Sequence, residues 1–286
     1  MKTIIIVVGM HRSGTSVISR SLSVLNIPLG NNLMTADDSN PKGYYEDMDI
    51  YELNERLLWH IGQLWDTSEP LPVDVHSSLY EKFGSEAIEL IKTKMINTDI
   101  FSFKDPRNSI FLPFWKKVIE TLNIQIKYIF VFRNPLSVID SLFKRDEFTR
   151  EKSLRLWLKY NLLGLSGIDK DNSIFVDYDA ALMNLPNHIS RLSKFLDMQV
   201  DQADKDKFIH EFIDKNLRHS KYRSVEVLDD KNIHPIFKNI YRTMIVMSMT
   251  DRCKDLTDAN IARWIDWYSK VSNGVIDSGY DMVLLS

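Results

Sequence analysis

The sequence predicts an α/β fold in which a central parallel sheet is flanked by helices and followed by a helical C-terminal extension. Three observations carry that prediction. Ile4-Ile5-Ile6-Val7-Val8 is a continuous apolar run without alternation, the pattern of a strand buried on both faces. Similar short runs recur at 100–104, 126–132 and 173–177. The stretches between them carry helical periodicity, and strands that alternate with helices pair in parallel through right-handed crossovers.

In order, the first strand spans 3–9, and a Gly-containing turn leads into a helix over 17–25 with Val17, Ile18, Leu22 and Leu25 on one face. Helices follow at 48–61 and 79–95, then the second strand. A helix at 112–122 precedes the third strand, helices at 136–144 and 151–165 precede the fourth, and a helix at 188–196 follows it. From about residue 200 the pattern changes to helices at 204–214, 236–250 and 257–271, with no further strong strand. The expected organisation is an α/β domain over 1–220 and a helical extension over 221–286 packed on it. Trp264, Trp267 and Tyr268 read as packing residues of that extension.

The turn is Gly9-Met10-His11-Arg12-Ser13-Gly14-Thr15-Ser16. A strand, a tight turn and a helix N-terminus together aim backbone N–H groups at one spot beyond the strand, which suits a phosphate-like anion. The spacing of Gly9 and Gly14 is that of a Walker A loop, but Thr15 stands where that motif has lysine, and the cation comes earlier, at Arg12. The fold is therefore expected to be a three-layer, P-loop-like one. A nucleoside triphosphatase also needs an acidic Mg²⁺ ligand after a second strand. Here Tyr128-Ile129-Phe130-Val131-Phe132 runs into Arg133. Cations stand where metal ligands would, so the expected ligand is an anionic nucleotide handled without metal.

Composition narrows the class. A chain of 286 residues can bury a large core, and a net charge of −3 leaves no global basic field for nucleic acid. Cys253 is the only cysteine, which excludes an internal disulfide and fits a reducing compartment. The leading apolar run is too short to span a membrane and reads as a strand, so a cytoplasmic location is expected. The seven histidines form no recognisable ligand set, and no metal site is expected.

Two motifs together resemble the sulfotransferases that use 3′-phosphoadenosine 5′-phosphosulfate (PAPS). Arg12-Ser13-Gly14-Thr15-Ser16 matches that family's phosphosulfate loop. Tyr128 to Phe132 followed by Arg133-Asn134-Pro135, with Ser141 eight residues after the arginine, matches its second signature. Lys104-Asp105-Pro106 resembles an element of tyrosylprotein-type members. Asn40-Pro41-Lys42-Gly43-Tyr44-Tyr45-Glu46-Asp47 resembles an acidic segment of bacterial carbohydrate-type members. The resemblance covers about residues 4–220 and implies PAPS as donor, PAP as product, and a hydroxyl acceptor, a sugar or glycolipid above all. It implies that Arg133 and Ser141 hold the 3′-phosphate, and that Arg218, in a late basic stretch, closes over it. A solvated basic loop is the other reading of that stretch.

In-line transfer of a sulfuryl group puts negative charge on the leaving bridge oxygen, so cations and N–H groups aimed there stabilise the transition state. Arg12 and Lys104 are the candidates, with the amides of Ser13, Gly14, Thr15 and Ser16 as a cradle and the hydroxyls of Thr15 and Ser16 as further donors. Arg107 is either a substrate contact or a structural ion-pair partner of a nearby acid. A base must take the hydroxyl proton. Glu46 is the first candidate, supported by the glutamate base of the resembling families. Asp47 and Asp49 are its rivals, unless one of them caps the following helix. His11, inside the loop and titrating near neutrality, is the remaining option. Lys144, Arg145, Arg150, Lys152 and Arg155 form a local basic group that either attracts an anionic acceptor or makes surface ion pairs with Glu147 and Glu151.

Two other classes are compatible with parts of the pattern. A P-loop kinase with an unusual loop would need ATP and Mg²⁺, and lacks both the loop lysine and the acid after the second strand. A non-catalytic nucleotide-binding module would not need Lys104 and Glu46.

Overall fold

A computed structural model describes residues 2–37, 40–72, 74–212, 222–250 and 256–272. Its centre is a parallel sheet of four strands among the described residues, in the order β2-β1-β3-β4: β1 (Thr3–Val8), β2 (Ile100–Lys104), β3 (Gln125–Phe132) and β4 (Ser173–Asp177). The unbroken apolar run of β1 has its cause in this order, because β1 lies between β2 and β3 and Ile4 to Val8 are buried. Alternate residues of the strands feed two cores, as strand geometry requires. Ile4, Ile6, Val8, Phe130 and Phe132 face one, and Ile5, Val7, Ile129 and Val131 face the other.

The first core packs against α2 (Met48–His60), α3 (Val75–Lys94), α4 (Asn108–Thr121), α5 (Pro135–Asp146) and α6 (Arg150–Gly167). The second packs against α1 (Thr15–Ser23), α7 (Tyr178–Met183), α8 (Leu185–Leu196) and α9 (Gln202–Phe212). This is the three-layer arrangement expected. Helix ends shift for identifiable reasons. α4 begins at Asn108, four residues before the first periodic leucine, and Pro113 lies inside it next to non-helical backbone at Phe111. The short helix α7 follows β4 directly, with Asp177 accepting from the amides of Asp179 and Ala180.

The C-terminal helices α10 (Ser224–Asp229), α11 (Pro235–Thr250) and α12 (Asp258–Ser272) extend the first core. Phe237 and Tyr241 of α11 bring their rings to 6.1 Å and 6.5 Å from Trp157. Trp264 and Tyr268 are buried there, and Trp267 stacks on His234 at 4.7 Å. Among the described residues no helix is long and apolar enough to cross a membrane.

Strand register sets up the site. Val7 pairs with Lys104, Val8 with Phe130, and Phe132 with Asp177. The chain leaves β1 for β2 on one side and reaches β3 on the other, so a crevice opens at the carboxyl ends of the strands. The residues that follow those ends are Gly9, Asp105, Arg133 and Tyr178.

Candidate active site

The turn after β1 is held from beneath. Gly9 N donates to Ser109 Oγ at 3.1 Å, and Ser13 N donates to Met10 O at 3.2 Å. Arg12 takes φ 64°, and Gly14 caps α1 at φ 84°. Gly14 is required twice over. Its φ is left-handed, and a Cβ there would lie 1.9 Å from Cδ2 of Tyr178. Tyr178 thus underlies the loop, and no local signal in the sequence marks it for that role.

The loop lines a cleft of about 1040 Å³ together with Lys104, Arg133, Ser141, Tyr178 and Glu46. Arg12 Nε donates to Ser141 Oγ at 2.7 Å, joining two motifs 129 residues apart. Arg133 is the residue after β3. Its guanidinium carbon lies 4.8 Å from the centre of the Tyr178 ring, its Nη1 reaches Arg12 O at 3.4 Å, and its Nε lies 3.6 Å from Asp179 Oδ2. Trp157 Nε1 donates to Arg133 O at 3.2 Å, which fixes the backbone that aims this side chain. Burial, with Arg145 and Arg133 nearby, pulls the Arg12 guanidinium below its ordinary range. Ser13 Oγ is buried and, among the described residues, has no hydrogen-bond partner. Concentrated cations, a buried hydroxyl without a partner and a helix N-terminus make this wall suited to an anion.

Lys104, the last residue of β2, sends Nζ to Glu46 Oε1 at 2.5 Å, Tyr44 O at 3.1 Å and Ser16 Oγ at 3.2 Å. Both members of the Lys104–Glu46 pair are buried. Burial pushes the Glu46 carboxyl above the usual carboxylate range, while the Lys104 ammonium pulls against that shift. The acidic segment lies against the loop as well, with Asn40 Nδ2 donating to Gly43 O at 2.7 Å and reaching Ser16 Oγ at 3.4 Å.

The rival acids lie elsewhere. Asp47 caps α2, accepting from Asp49 N at 3.1 Å, and pairs with Lys94 Nζ at 2.7 Å in a buried bridge. Asp49 pairs with the same lysine at 2.5 Å. The capping alternative is the one the structure shows for Asp47.

His11 lines the cleft with its ring 4.5 Å from Trp65 and 5.6 Å from Tyr160. Burial first, then the charges of Arg107, Arg145, Lys104 and Arg12, hold its pKa well below the ordinary histidine value. Trp65 belongs to the segment before α3 and is a cleft residue that local sequence does not mark. The segment is pinned by α6, where Tyr160 Oη donates to Trp65 O at 2.6 Å and the buried Lys159 donates to Gln63 Oε1 at 2.7 Å. Burial lowers the Lys159 pKa to about 8.

Arg107 lines the cleft but is an ion-pair residue. Its Nη1 donates to Asp105 Oδ1 at 2.9 Å, its Nε pairs with Glu55, and its guanidinium carbon lies 4.6 Å from the centre of the Tyr51 ring. Burial opposes its charge, yet Asp105 and Glu55 hold its pKa above the ordinary range. The basic group divides. Lys144 and Arg145 line the cleft, whereas Arg150 pairs with Asp230, Lys152 with Asp66 and Arg155 with Glu151. Arg218 and Cys253 lie outside the described residues.

Residues 2–270 match the family model of the sulfotransferase domain. No curated protein matches the chain. Among solved structures, the chain is similar to the sulfotransferase domain from the curacin biosynthetic pathway, at 14% identity over 71% of this chain and 76% of that one, with a TM-score of 0.41. It is also similar to the sulfotransferase domain from the Synechococcus PCC 7002 olefin synthase, at 16% identity over 93% and 94% of the two chains, with a TM-score of 0.42. The family match takes in all four strands and the cleft at their carboxyl ends, and the chain belongs to the sulfotransferase family.

Proposed function

We propose that this sulfotransferase moves the sulfuryl group of PAPS to a hydroxyl of a carbohydrate or glycolipid acceptor in the cytoplasm, and releases PAP. The observation that carries the reading is that one cleft is lined by both the Arg12–Ser141 contact and the buried Lys104–Glu46 pair. The first suits an anionic nucleotide, and the second suits proton transfer beside developing negative charge. Ser13 Oγ, buried without a partner among the described residues, fits a site built around phosphate-type oxygens.

The bound donor supplies the activated sulfuryl group. In this reading Arg133 and Ser141 hold the 3′-phosphate. Ser13, Gly14, Thr15 and Ser16 cradle the 5′-phosphosulfate, and Arg12 and Lys104 stabilise charge on the leaving oxygen. Glu46 accepts the acceptor's proton. His11, kept neutral by burial and four cations, serves as a hydrogen-bonding wall of the cleft, and Arg107 keeps Tyr51 in place beside the acceptor. The helices α10, α11 and α12 act as part of the same folding unit, since they contribute to its core.

The test is transfer of labelled sulfate from PAPS to a panel of sugars and glycolipids in EDTA. Transfer is expected to proceed, because the donor wall presents cations, hydroxyls and amides, which are poor ligands for a metal ion. Metal-dependent phosphoryl transfer from ATP would overturn the reading in favour of a kinase. PAP binding without transfer to any acceptor would favour a non-catalytic module.

A further inference from the structure

A second concavity lies beside the cleft, on the outer side of α2. It is a groove of about 660 Å³ lined by Glu55, Arg56, Trp59, His60, Lys82 and Phe83. Trp59 is 79% exposed there, while Trp115, Trp157 and Trp264 are buried in the core. The helix itself connects the two concavities. Tyr51, Glu55 and Trp59 are spaced four residues apart, so they form one stripe along α2. Tyr51 lines the cleft and Glu55 lines the groove. Glu55 also pairs with Arg107, a cleft residue, so an ion pair links a residue of one concavity to a residue of the other.

Resting on the carbohydrate reading above, we infer that this groove is a subsite for the distal part of an extended glycan acceptor whose reacting hydroxyl lies in the cleft. Tyr51 and Trp59 are two helical turns apart, about 12 Å along the axis, further than one sugar ring reaches. The occupant is therefore a chain of several sugar units. Its chemistry follows from the lining. An exposed indole offers a flat apolar face to the C–H face of a pyranose. The rim is charged and rich in hydrogen-bonding groups: Lys82 Nζ lies 3.1 Å from His60 Nδ1, and Arg56 pairs with Glu86. Arg56 and Lys82 also sit 5.8 Å and 5.5 Å from the centre of the Phe83 ring. Sugar hydroxyls match such a rim. An acyl chain would desolvate these charges without replacing their hydrogen bonds.

The experiment measures kcat/KM for sulfate transfer from PAPS to size-fractionated fragments, from disaccharide to dodecasaccharide, of heparosan, unsulfated chondroitin and N-acetylchitooligosaccharides. Affinity for PAP is measured alongside. The expected result is a preference for the long fragments of the accepted glycan. Trp59→Ala is expected to collapse that preference about 5–10-fold, the scale of one aromatic contact, while PAP affinity and melting temperature hold. Trp59→Tyr, which keeps an aromatic face, is expected to restore most of it. Sulfation without length preference, or an equal loss on disaccharide and dodecasaccharide in Trp59→Ala, overturns the subsite and leaves the sulfotransfer reading standing. If PAP binds and no glycan is sulfated, the carbohydrate reading fails and the subsite fails with it.

Discussion

Lys104 Nζ donates to Glu46 Oε1 at 2.5 Å across 58 residues of sequence, and both side chains are buried. The lysine comes from the end of β2 and the glutamate from the segment entering α2, so the pair ties the acidic segment to the sheet. The pair constrains how either residue can be tested. Removing one partner of a buried ion pair leaves a stranded charge, at a typical cost of about 3–5 kcal/mol. An alanine at either position would therefore report on stability as much as on chemistry, so a substitution that keeps the shape and a hydrogen-bond partner for the other side chain is needed.

Glu46→Gln keeps the shape and can still accept a hydrogen bond from Lys104, but it cannot take a proton at neutral pH. Turnover is expected to fall about 10²–10⁴-fold, the usual contribution of a general base. PAP affinity, carried in this reading by the loop and Arg133, should hold. His11→Ala is the comparison. Burial and four neighbouring cations disfavour an imidazolium there, so this variant should disturb the cleft wall without the kinetic signature of a lost base. Single-turnover kinetics with calorimetric PAP binding separate the two. Near-full turnover in Glu46→Gln would remove the base assignment.

The pH profile follows from the same carboxyl. Burial raises its pKa, so more of it is protonated at a given pH than for an exposed glutamate. A base must be deprotonated to act, so kcat should rise with pH through a limb lying above the ordinary glutamate range. Glu46→Gln should abolish that limb. A limb that survives the substitution would belong to another group.

For Arg133→Ala, loss of PAP affinity by about 1.5–3 kcal/mol is expected, the range for hydrogen bonds to charged groups. AMP, which lacks the 3′-phosphate, should be scarcely affected. Calorimetry showing equal losses for the two ligands would remove the 3′-phosphate assignment.

The strands and the turn were legible because their causes are local. Five consecutive β-branched residues can be buried on both faces only in the middle of a sheet, and the turn carries its own glycines. What stayed ambiguous was decided by distant partners. For Arg107 the neighbourhood supplies only half of the answer: Asp105 is the nearby acid it pairs with, and Glu55 reaches it from another helix. Glu46 and Asp47 are adjacent acids with opposite fates. Asp47 is extended, at φ −75° and ψ 121°, and successive side chains of extended backbone point to opposite sides. One therefore meets Lys104 and the other meets Lys94. The helix expected from residue 48 puts Asp47 at its N-cap position, and the structure shows that cap. Tyr178 and Trp65 were invisible because their roles come only from where the fold puts them, under Gly14 and beside His11.

Gly14→Ala separates backbone strain from steric overlap in the loop. A left-handed φ of 84° costs a residue with a Cβ about 1–2 kcal/mol. The new Cβ would also fall 1.9 Å from Cδ2 of Tyr178, and overpacking of that kind typically adds about 1–3 kcal/mol. The single variant should lose stability by the combined amount and lose PAP affinity as Tyr178 is displaced, because Arg133 lies over that ring. Tyr178→Ala relieves the overlap and leaves the backbone strain. In a double-mutant cycle by urea denaturation, the double variant should therefore be more stable than the two single losses summed, with a coupling close to the overlap energy. Strict additivity would mean that the ring does not press on the loop. The PAP arm reads the other consequence. If Gly14→Ala destabilised the fold and left PAP affinity intact, the contact between Tyr178 and Arg133 would not be what aims the arginine.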